Sequence, residues 1–159
     1  MLSPAVFKAL LSRFPTGVTV VTARDAAGAD HGITVNAFCS LSLTPPLLLI
    51  CIDQAALMHG VISSAPAFAV NILAADQEAL SRRFAESDEG RFEGLPVVRG
   101  LTGSALLTGT AGQLECTVRD RHPAGDHLIV IGEVVSGAVS DTDAQPLVYH
   151  RGAYTRLSP

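Results

Sequence analysis

The stretch His31-Gly-Ile-Thr-Val-Asn-Ala-Phe-Cys-Ser-Leu-Ser42 decides how the rest of the chain is interpreted. Its first half is rich in β-branched residues and predicts a strand. Its second half carries the hydroxyl groups of Ser40 and Ser42 and ends before two prolines, so it predicts a polar loop. The apolar run Leu47 to Ile52 follows and predicts a buried strand. Such an arrangement can hold a flat anionic ligand, although a plain hairpin and turn would use the same residues.

The residues before this stretch predict a helix and the first arm of a β-hairpin. Ser3 is a suitable N-cap, Pro4 suits the first helical position, and apolar residues recur at helical spacing as far as Phe14. The β-branched run Val18 to Ala23 predicts a strand that pairs with His31 to Ala37 across a turn.

The residues after the stretch predict more strands with two short helices between them. The predicted strands span 47–53, 68–73, 113–120, 126–139, 147–149 and 153–157, and the predicted helices span 55–63 and 76–85. The first of these strands is apolar throughout, which predicts a position at the centre of a sheet. Gly132 interrupts the longest strand and predicts a bulge or bend. The polar segment Glu86 to Gly100 is the best candidate for a mobile loop, either a functional lid or a plain connector.

This pattern of elements predicts a mainly β fold. Six or more strands with short connections and a few short helices favour a closed or partly closed β-barrel with peripheral helices. Strands and helices do not alternate strictly, so a doubly wound parallel fold is a poorer match. The length suits a single domain spanning residues 1–159.

Composition narrows the class of protein. Hydrophobic residues make up 48% of the chain and charged residues only 16%, which leaves apolar surface that a homodimer or larger assembly would cover. The net charge of −4 argues against a nucleic-acid partner. The three cysteines are few and widely spaced, so they predict small buried residues, not a disulfide framework or a zinc site.

No cofactor or catalytic motif of the common kinds is present. The chain lacks GxGxxG, the P-loop pattern, HExxH and the GxSxG elbow, and its histidines have no partner at metal-ligand spacing. No signal peptide is evident, and the longest apolar run is too short to span a membrane, so the expected location is the cytoplasm, without a membrane partner.

Several segments, taken in order, resemble the flavin reductase-like family, the small components of two-component flavin-dependent monooxygenases. The segments that carry the resemblance are 14–22, 31–42, 45–47, 68–73, 81–84, 114–116, 125–127 and 149–152, so the resemblance covers almost the whole chain. The family often has Ala where Pro15 stands and Ser where Cys39 stands. Both departures are conservative in size and remove no needed polar group.

The resemblance implies a split β-barrel of the Greek-key type that binds FMN or FAD, usually as a homodimer with the flavin near the interface. It implies NAD(P)H-dependent reduction of the flavin, by hydride transfer without a catalytic side chain, for a partner monooxygenase. The implied flavin-binding residues are Thr34, Val35, Asn36, Ala37, Ser40, Leu41, Ser42, Arg83 and Phe84. The implied residues for NADH or NADPH are His127, Tyr149, His150, Arg151 and Gly152. No metal site is implied.

The residues leave other functions open. One alternative is a pyridoxamine-phosphate-oxidase-like flavoenzyme, and another is a non-enzymatic split-barrel protein that binds flavin or haem. A third is a small β-barrel domain in which Ser40 and Ser42 belong to an ordinary turn. The sequence does not choose between FMN and FAD, or between NADH and NADPH, and it does not identify a partner oxygenase.

Overall fold

The computed structural model describes residues 2–86, 90–140 and 143–157. The helices are α1 (Pro4–Leu11), α2 (Leu57–Ile62) and α3 (Glu78–Glu86). The strands are β1 (Thr16–Gly17), β2 (Thr19–Arg24), β3 (Asp30–Val35), β4 (Phe38–Leu43), β5 (Pro46–Asp53), β6 (Ala67–Ile72), β7 (Val97–Arg99), β8 (Ala105–Leu107), β9 (Gly112–Ala124), β10 (His127–Val139), β11 (Val148–His150) and β12 (Ala153–Thr155). Across these ranges, every helix falls short of the length and apolar character that crossing a membrane requires.

The strands form one large antiparallel sheet with two small companions. The large sheet has seven strands in the order β3-β2-β6-β9-β10-β5-β4, a second sheet has the order β1-β11-β12, and β7 pairs with β8. The hairpins β2–β3 and β4–β5 are adjacent in sequence but lie at opposite ends of the large sheet. The prediction of a mainly β split barrel with short helices is confirmed.

β2 is buried on both of its faces, because it lies between two hydrophobic clusters. Val21 and Ala23 belong to a cluster built around Ile50, Phe68 and Val130, which α2 also contacts. Val20 points the other way and packs with Phe84 of α3 and Leu107 of β8. The β-branched run of β2 therefore supplies both cores.

The apolar strand β5 is buried on one face only, which corrects the prediction of a fully buried central strand. Leu48, Ile50 and Ile52 are buried, whereas Leu47, Leu49 and Cys51 are half-buried. β5 is next to the edge of the sheet, between β10 and β4. A continuous apolar run does not show whether its second face meets a core or a groove.

The predicted polar loop at Ser40 and Ser42 is the edge strand β4, and this is a second correction. β4 pairs with β5 and has an irregular register between Ser40 and Ser42. An edge strand has one unpaired side in contact with solvent, so its polar side chains resemble those of a loop in the sequence. The short hairpin β7–β8 was also not predicted.

The predicted mobile segment 86–100 is anchored where the structure describes it; residues 87–89 lie outside the described residues. The Arg83 guanidinium donates to the Gly90 carbonyl at 2.7 Å and to the Glu93 carbonyl at 2.5 Å. The Phe92 ring packs edge-on against Phe84, with ring centroids 5.1 Å apart. These contacts favour a connector over a lid.

A buried carboxylate holds the turn between β7 and β8. Glu115, only 3% exposed, accepts hydrogen bonds from the Leu101 and Thr102 backbone N–H groups and from the Thr102 hydroxyl, at 2.8–3.1 Å. Burial raises the pKa of Glu115, but the hydrogen bonds from Thr102 and Leu101 outweigh it, so the pKa lies below its ordinary value of 4.5. A group with a depressed folded-state pKa stabilises the fold above its unfolded pKa, and that contribution is lost as the pH falls through the folded value.

We expect Glu115→Gln to lower the free energy of unfolding by about 1–3 kcal/mol at neutral pH, because buried donors lose a charged acceptor. The difference from the wild type should begin to shrink below the ordinary pKa of 4.5 and be lost as the pH falls through the lower folded-state pKa, where the native carboxylate becomes protonated. Urea unfolding of both proteins across this pH range measures the effect. Glu133→Gln, which removes only a half-exposed ion pair with Arg119, is the control and should cost less than about 1 kcal/mol. If the free energies of unfolding of the wild type and Glu115→Gln differed by the same amount at all pH values, the lowered pKa of Glu115 would be contradicted.

Gly132 lies at the predicted bulge, where the register of β9 and β10 shifts. A Cβ at this position would lie 2.6 Å from the Phe68 ring and 2.8 Å from the Cys116 Cβ atom, so the core requires a glycine here.

Gly132→Ala should therefore destabilise the fold by about 1–3 kcal/mol through overpacking. Gly60 in α2 is the matched control, because a Cβ there meets nothing within 4 Å. Gly60→Ala should stabilise the protein by about 0.5–1 kcal/mol through helix propensity. Thermal unfolding of Gly132→Ala and Gly60→Ala measures both changes in stability. Equal changes of the same sign would contradict the claim that the core leaves no room for a Cβ at Gly132.

Candidate functional site

A groove of about 580 Å³ separates α1 from the β4–β5 hairpin. Its walls are mostly apolar, and its volume is in the range typical of small-molecule sites. The lining residues are Phe7, Lys8, Leu11, Ser12, Phe14, Thr16, Asn36, Ala37, Phe38, Cys39, Leu49, Cys51, Tyr149 and Arg151.

Helix α1 forms one wall because it stands away from both hydrophobic clusters. Ser3 caps it by accepting a hydrogen bond from the Val6 N–H, and Pro4 occupies its first turn. Its side chains all remain outside the core, and Phe7 and Leu11 are 51% and 58% exposed. The apolar face of α1 that the sequence predicts therefore lines the groove and the protein surface beside it, and does not join either hydrophobic cluster.

The turn between β11 and β12 fixes the end of this wall. Arg151 has φ of 52° and Gly152 has φ of 80°, so both residues are in the left-handed region. The Arg151 N–H donates to the Ser12 carbonyl at 2.9 Å, which ties the turn to the C-terminal end of α1. A long side chain in this conformation is uncommon and directs attention to the Arg151 guanidinium.

A second cavity of about 290 Å³ lies on the far side of Asn36 and Tyr149. Thr34 and Gly152 line it together with residues of α3 and Tyr154 of β12. The Thr34 hydroxyl donates to the Ser81 carbonyl at 2.6 Å. Asn36 and Tyr149 line both this cavity and the groove, so the two spaces meet there.

Tyr154 connects this cavity to α3. Its hydroxyl lies 2.8 Å from the Ser81 hydroxyl, and its ring packs edge-on against Tyr149 at a centroid distance of 5.2 Å. The Arg82 guanidinium lies 4.9 Å from the centre of the Tyr154 ring and is held by Glu78 at 2.8 Å. Arg82 is therefore already paired, while the Tyr149–Tyr154 pair offers aromatic surface.

A third cavity of about 320 Å³ continues from the groove past Phe14 and Phe38. Thr16 and Asn36 line both spaces. The Thr16 hydroxyl is buried and makes no hydrogen bond with the residues that the structure describes. A buried hydroxyl without a partner costs stability, which is a reason to expect a polar ligand atom beside it.

The structure brings together six of the residues that the resemblance implied, three from each proposed set. Thr34, Asn36 and Ala37 come from the flavin set, and Tyr149, Arg151 and Gly152 come from the nicotinamide set. Val35, next to them, is buried, and its carbonyl accepts a hydrogen bond from the Thr19 hydroxyl at 2.6 Å. Val35 is therefore part of the core beside the site and is not among the residues that line the groove or the adjoining cavity.

The other implied flavin-binding residues lie apart from the groove walls. Ser40, Leu41 and Ser42 follow on β4, whereas Phe38 and Cys39 line the groove. Phe84 is fully buried, so its ring would have to leave the core to touch a ligand. Arg83 is engaged with the 90–93 backbone.

The two implied histidines lie at strand ends. His127 begins β10 opposite Asp53, and its Nδ1 lies 2.7 Å from a carboxylate oxygen of Asp126. This hydrogen bond is the largest cause of a lowered pKa at Asp126. His150 ends β11, is half-buried and pairs in register with Ala153. Neither is among the groove-lining residues.

The lining also contains residues that were not predicted from the sequence. Phe7, Phe14 and Phe38 give the groove its aromatic surface, and Lys8 adds a second cation beside that of Arg151 in the same lining. The apolar residues at helical spacing as far as Phe14 were a visible signal, but they predicted only a helix with an apolar face and did not show that this face lines a groove. For Lys8 the sequence offers no comparable signal.

The three cysteines differ in burial, which corrects the prediction that all are buried. Cys39 is exposed and Cys51 is half-buried, and both line the groove. Cys116 is buried, and burial with the nearby Glu115 charge raises its pKa to about 12. Across the described ranges, no cluster of three or more His, Cys, Asp or Glu side chains could hold a metal ion.

Comparison with known protein families gives a match over most of the chain. A family described as "Flavin reductase like domain" matches residues 11–158. A relative from Streptomyces coelicolor, "Actinorhodin polyketide dimerase", is 42% identical over 87% of this chain and 78% of its own length. "FMN reductase (NADH)" from Agrobacterium fabrum is 41% identical over 96% of this chain and 85% of its own length.

The reductase subunit of a flavin-dependent monooxygenase from Rhodococcus jostii is 34% identical over 99% of this chain and 80% of its own length. Two relatives from Rhizobium meliloti are longer, and the chain spans only 48% and 65% of them. Among solved structures, the NADH:FAD oxidoreductase of Streptomyces globisporus superposes with a TM-score of 0.92 at 34% identity, covering 100% of this chain and 98% of that one.

The groove geometry predicts an order of thiol reactivity. We expect a disulfide reagent such as dithiobis(nitrobenzoate) to modify Cys39 first, then Cys51, because burial raises the pKa of Cys51. Cys116 should react only on unfolding, since its pKa of about 12 leaves almost no thiolate. Timed thiol counts on the wild type and on Cys39→Ser, which should lack the fastest phase, measure this order. Fast modification of Cys116 in the folded protein would contradict the described core.

Proposed function

The chain belongs to the flavin reductase-like domain family, and from this membership we propose that it catalyses hydride transfer from NADH or NADPH to FMN or FAD. The observation that carries the proposal is the convergence of Asn36 and Tyr149 at the junction of the groove and the adjoining cavity. One residue comes from the proposed flavin set and the other from the proposed nicotinamide set, although they are far apart in sequence.

The residues of the groove fit a flavin and a nicotinamide nucleotide. Both ligands have flat rings and anionic phosphates, so the site needs apolar walls and local positive charge. Phe7, Phe14 and Phe38 supply the walls, and Lys8 and Arg151 supply the charge. Among the residues that the structure describes, the groove lining contains no aspartate or glutamate, although the chain as a whole has a net charge of −4.

The bound flavin supplies a ring that accepts a hydride, so the chain needs no nucleophilic side chain. The chain's own contribution would be to hold the two ligands next to one another against the apolar walls of the groove. Aromatic side chains on α1 and β4 line the groove, and the exposed side-chain amide of Asn36 offers polar groups there. The Asn36 and Ala37 carbonyls already accept hydrogen bonds from the Phe38 and Cys51 N–H groups, both at 3.0 Å. The unpartnered Thr16 hydroxyl offers one more hydrogen-bonding group to a bound ring.

We propose that the working form is a homodimer that releases reduced flavin to a partner monooxygenase. Exposed apolar side chains support the dimer: Phe14 is 74% exposed, Leu43 is 94% exposed and Val139 is 87% exposed. The monooxygenase partner follows from the Rhodococcus jostii relative, which is itself such a reductase subunit. We further propose a single domain over residues 1–159 and a location in the cytoplasm, where reduced nicotinamide nucleotides are available.

An anaerobic absorbance assay tests the proposal. Each of FMN and FAD is mixed with the protein and with each of NADH and NADPH, and we expect the flavin absorbance to bleach with at least one pair. Bleaching identifies the flavin and the nucleotide together. A protein that binds flavin and does not oxidise either nucleotide would favour a flavin-binding protein, and one that binds no flavin would overturn the proposal.

A larger side chain in the groove should weaken flavin binding. Ala37 is exposed and lines the groove, so Ala37→Leu places a larger side chain where the ring is proposed to lie. We expect the flavin dissociation constant to rise about tenfold or more, which corresponds to about 1.4 kcal/mol. Ala79→Leu makes the same change at an exposed position of α3 outside the groove and should leave the constant unchanged. Fluorescence titration measures the flavin dissociation constants of both variants. Equal constants would show that the flavin does not bind beside Ala37.

A further inference from the structure

We propose that Lys8 is a phosphate-binding residue of the groove and works together with Arg151. The ligand chemistry is the phosphate group of a nucleotide that carries a flat ring. This inference rests on the proposed function, because it concerns the same groove. It assigns a binding role to α1, for which the sequence predicted only a helix with an apolar face.

The first argument is the relative position of the two cations. Lys8 and Ser12 are one helical turn apart, and the Ser12 N–H donates to the Lys8 carbonyl at 2.9 Å. The Arg151 N–H donates to the Ser12 carbonyl, also at 2.9 Å. Ser12 is the C-cap of α1, so this bond places the Arg151 turn at the end of the helix, one helical turn from Lys8. Both residues line the groove.

The second argument is that the Lys8 ammonium is available. Across the described residues, Lys8 has no ion pair within 4.0 Å. Its charge does contribute weakly to the lowered pKa of Asp126, but the carboxylate of Asp126 is already bonded by His127 at 2.7 Å. Lys8 is exposed on the groove wall and keeps its three donors for a ligand.

The third argument is the sign of the charge in the groove. In the cavity beside α3, Arg82 is accompanied by Glu86, and in another cavity Arg91 is accompanied by Asp30 and Glu93. The groove instead has Lys8 and Arg151, and none of its described lining residues carries a carboxylate. Asp126, which the Lys8 charge reaches, lies outside this lining. In a chain of net charge −4, two cations in a mostly apolar groove form a local attraction for anions.

The apolar part of the groove distinguishes a nucleotide from a simple anion. Lys8 lies between Phe7 and Leu11 along α1, so the cation is next to the surface on which a ring can stack. A flavin phosphate and the phosphates of the nicotinamide nucleotide share this chemistry. The experiment separates these two sources.

The test compares Lys8→Gln, Lys8→Arg and Arg13→Gln. Arg13 follows α1, is exposed and does not line the groove, so Arg13→Gln removes the same charge outside the site. Riboflavin and FMN are titrated against each protein, and the KM for the nicotinamide nucleotide is measured. Lys8→Gln should weaken either FMN binding or nucleotide binding about tenfold, the scale of a lost charge-assisted hydrogen bond. Lys8→Arg should recover most of the loss.

The ligand whose binding Lys8→Gln weakens shows which phosphate Lys8 contacts. A higher dissociation constant for FMN with unchanged riboflavin binding assigns Lys8 to the flavin phosphate, and a higher KM with unchanged flavin binding assigns it to the nicotinamide nucleotide. The inference is overturned if Lys8→Gln behaves like Arg13→Gln on every ligand, or if it weakens riboflavin and FMN equally with no change in KM. A wild-type protein that neither binds flavin nor oxidises the nucleotide would instead overturn the proposed function itself.

Discussion

The fold depends on β2, the strand that is buried on both faces. Val21 faces one hydrophobic cluster and Val20 faces the other, so the two cores are joined through a single strand. The buried hydroxyl of Thr22 donates to the Ala105 carbonyl at 2.6 Å, and the Thr19 hydroxyl donates to the Val35 carbonyl at the same distance. Through these two hydroxyl groups β2 is hydrogen-bonded to β3 and to strand β8 of the β7–β8 hairpin. Each buried threonine satisfies its hydroxyl, which makes double burial tolerable.

The site follows from where β3 ends. Because β3 pairs with β2 only as far as Val35, the next two residues, Asn36 and Ala37, leave the sheet and are exposed. They lie where the small sheet and α1 approach the large sheet, and Tyr149 reaches the same place from β11. The groove is therefore the gap between two sheets and a helix that packs on neither core. Its polar groups are positioned by rigid elements on either side of a short connection.

Much of the strand content was predictable, because β-branched runs and the Gly132 bulge are local signals. The edge strand β4 was not, since hydroxyl-bearing edge strands and loops have similar compositions. The meeting of Asn36 with Tyr149 was anticipated from family resemblance, because no local pattern brings residues so far apart together. Lys8 could not be foreseen, since its place depends on a backbone hydrogen bond between Arg151 and Ser12. Long-range contacts of this kind are set by tertiary structure and leave no periodic trace in the sequence.

The exposed state of α1 is the feature that connects folding with function. A helix with apolar side chains gains stability by burying them, yet Leu10 and Leu11 each remain 58% exposed. The helix is held in this position by its Ser3 cap and by the contact of Ser12 with the Arg151 turn, where a non-glycine residue adopts a left-handed conformation. Strain and unburied apolar surface at the same place are both unfavourable for the isolated chain. Both are offset if a ring and a second subunit cover this surface, so binding at this place would stabilise the folded chain.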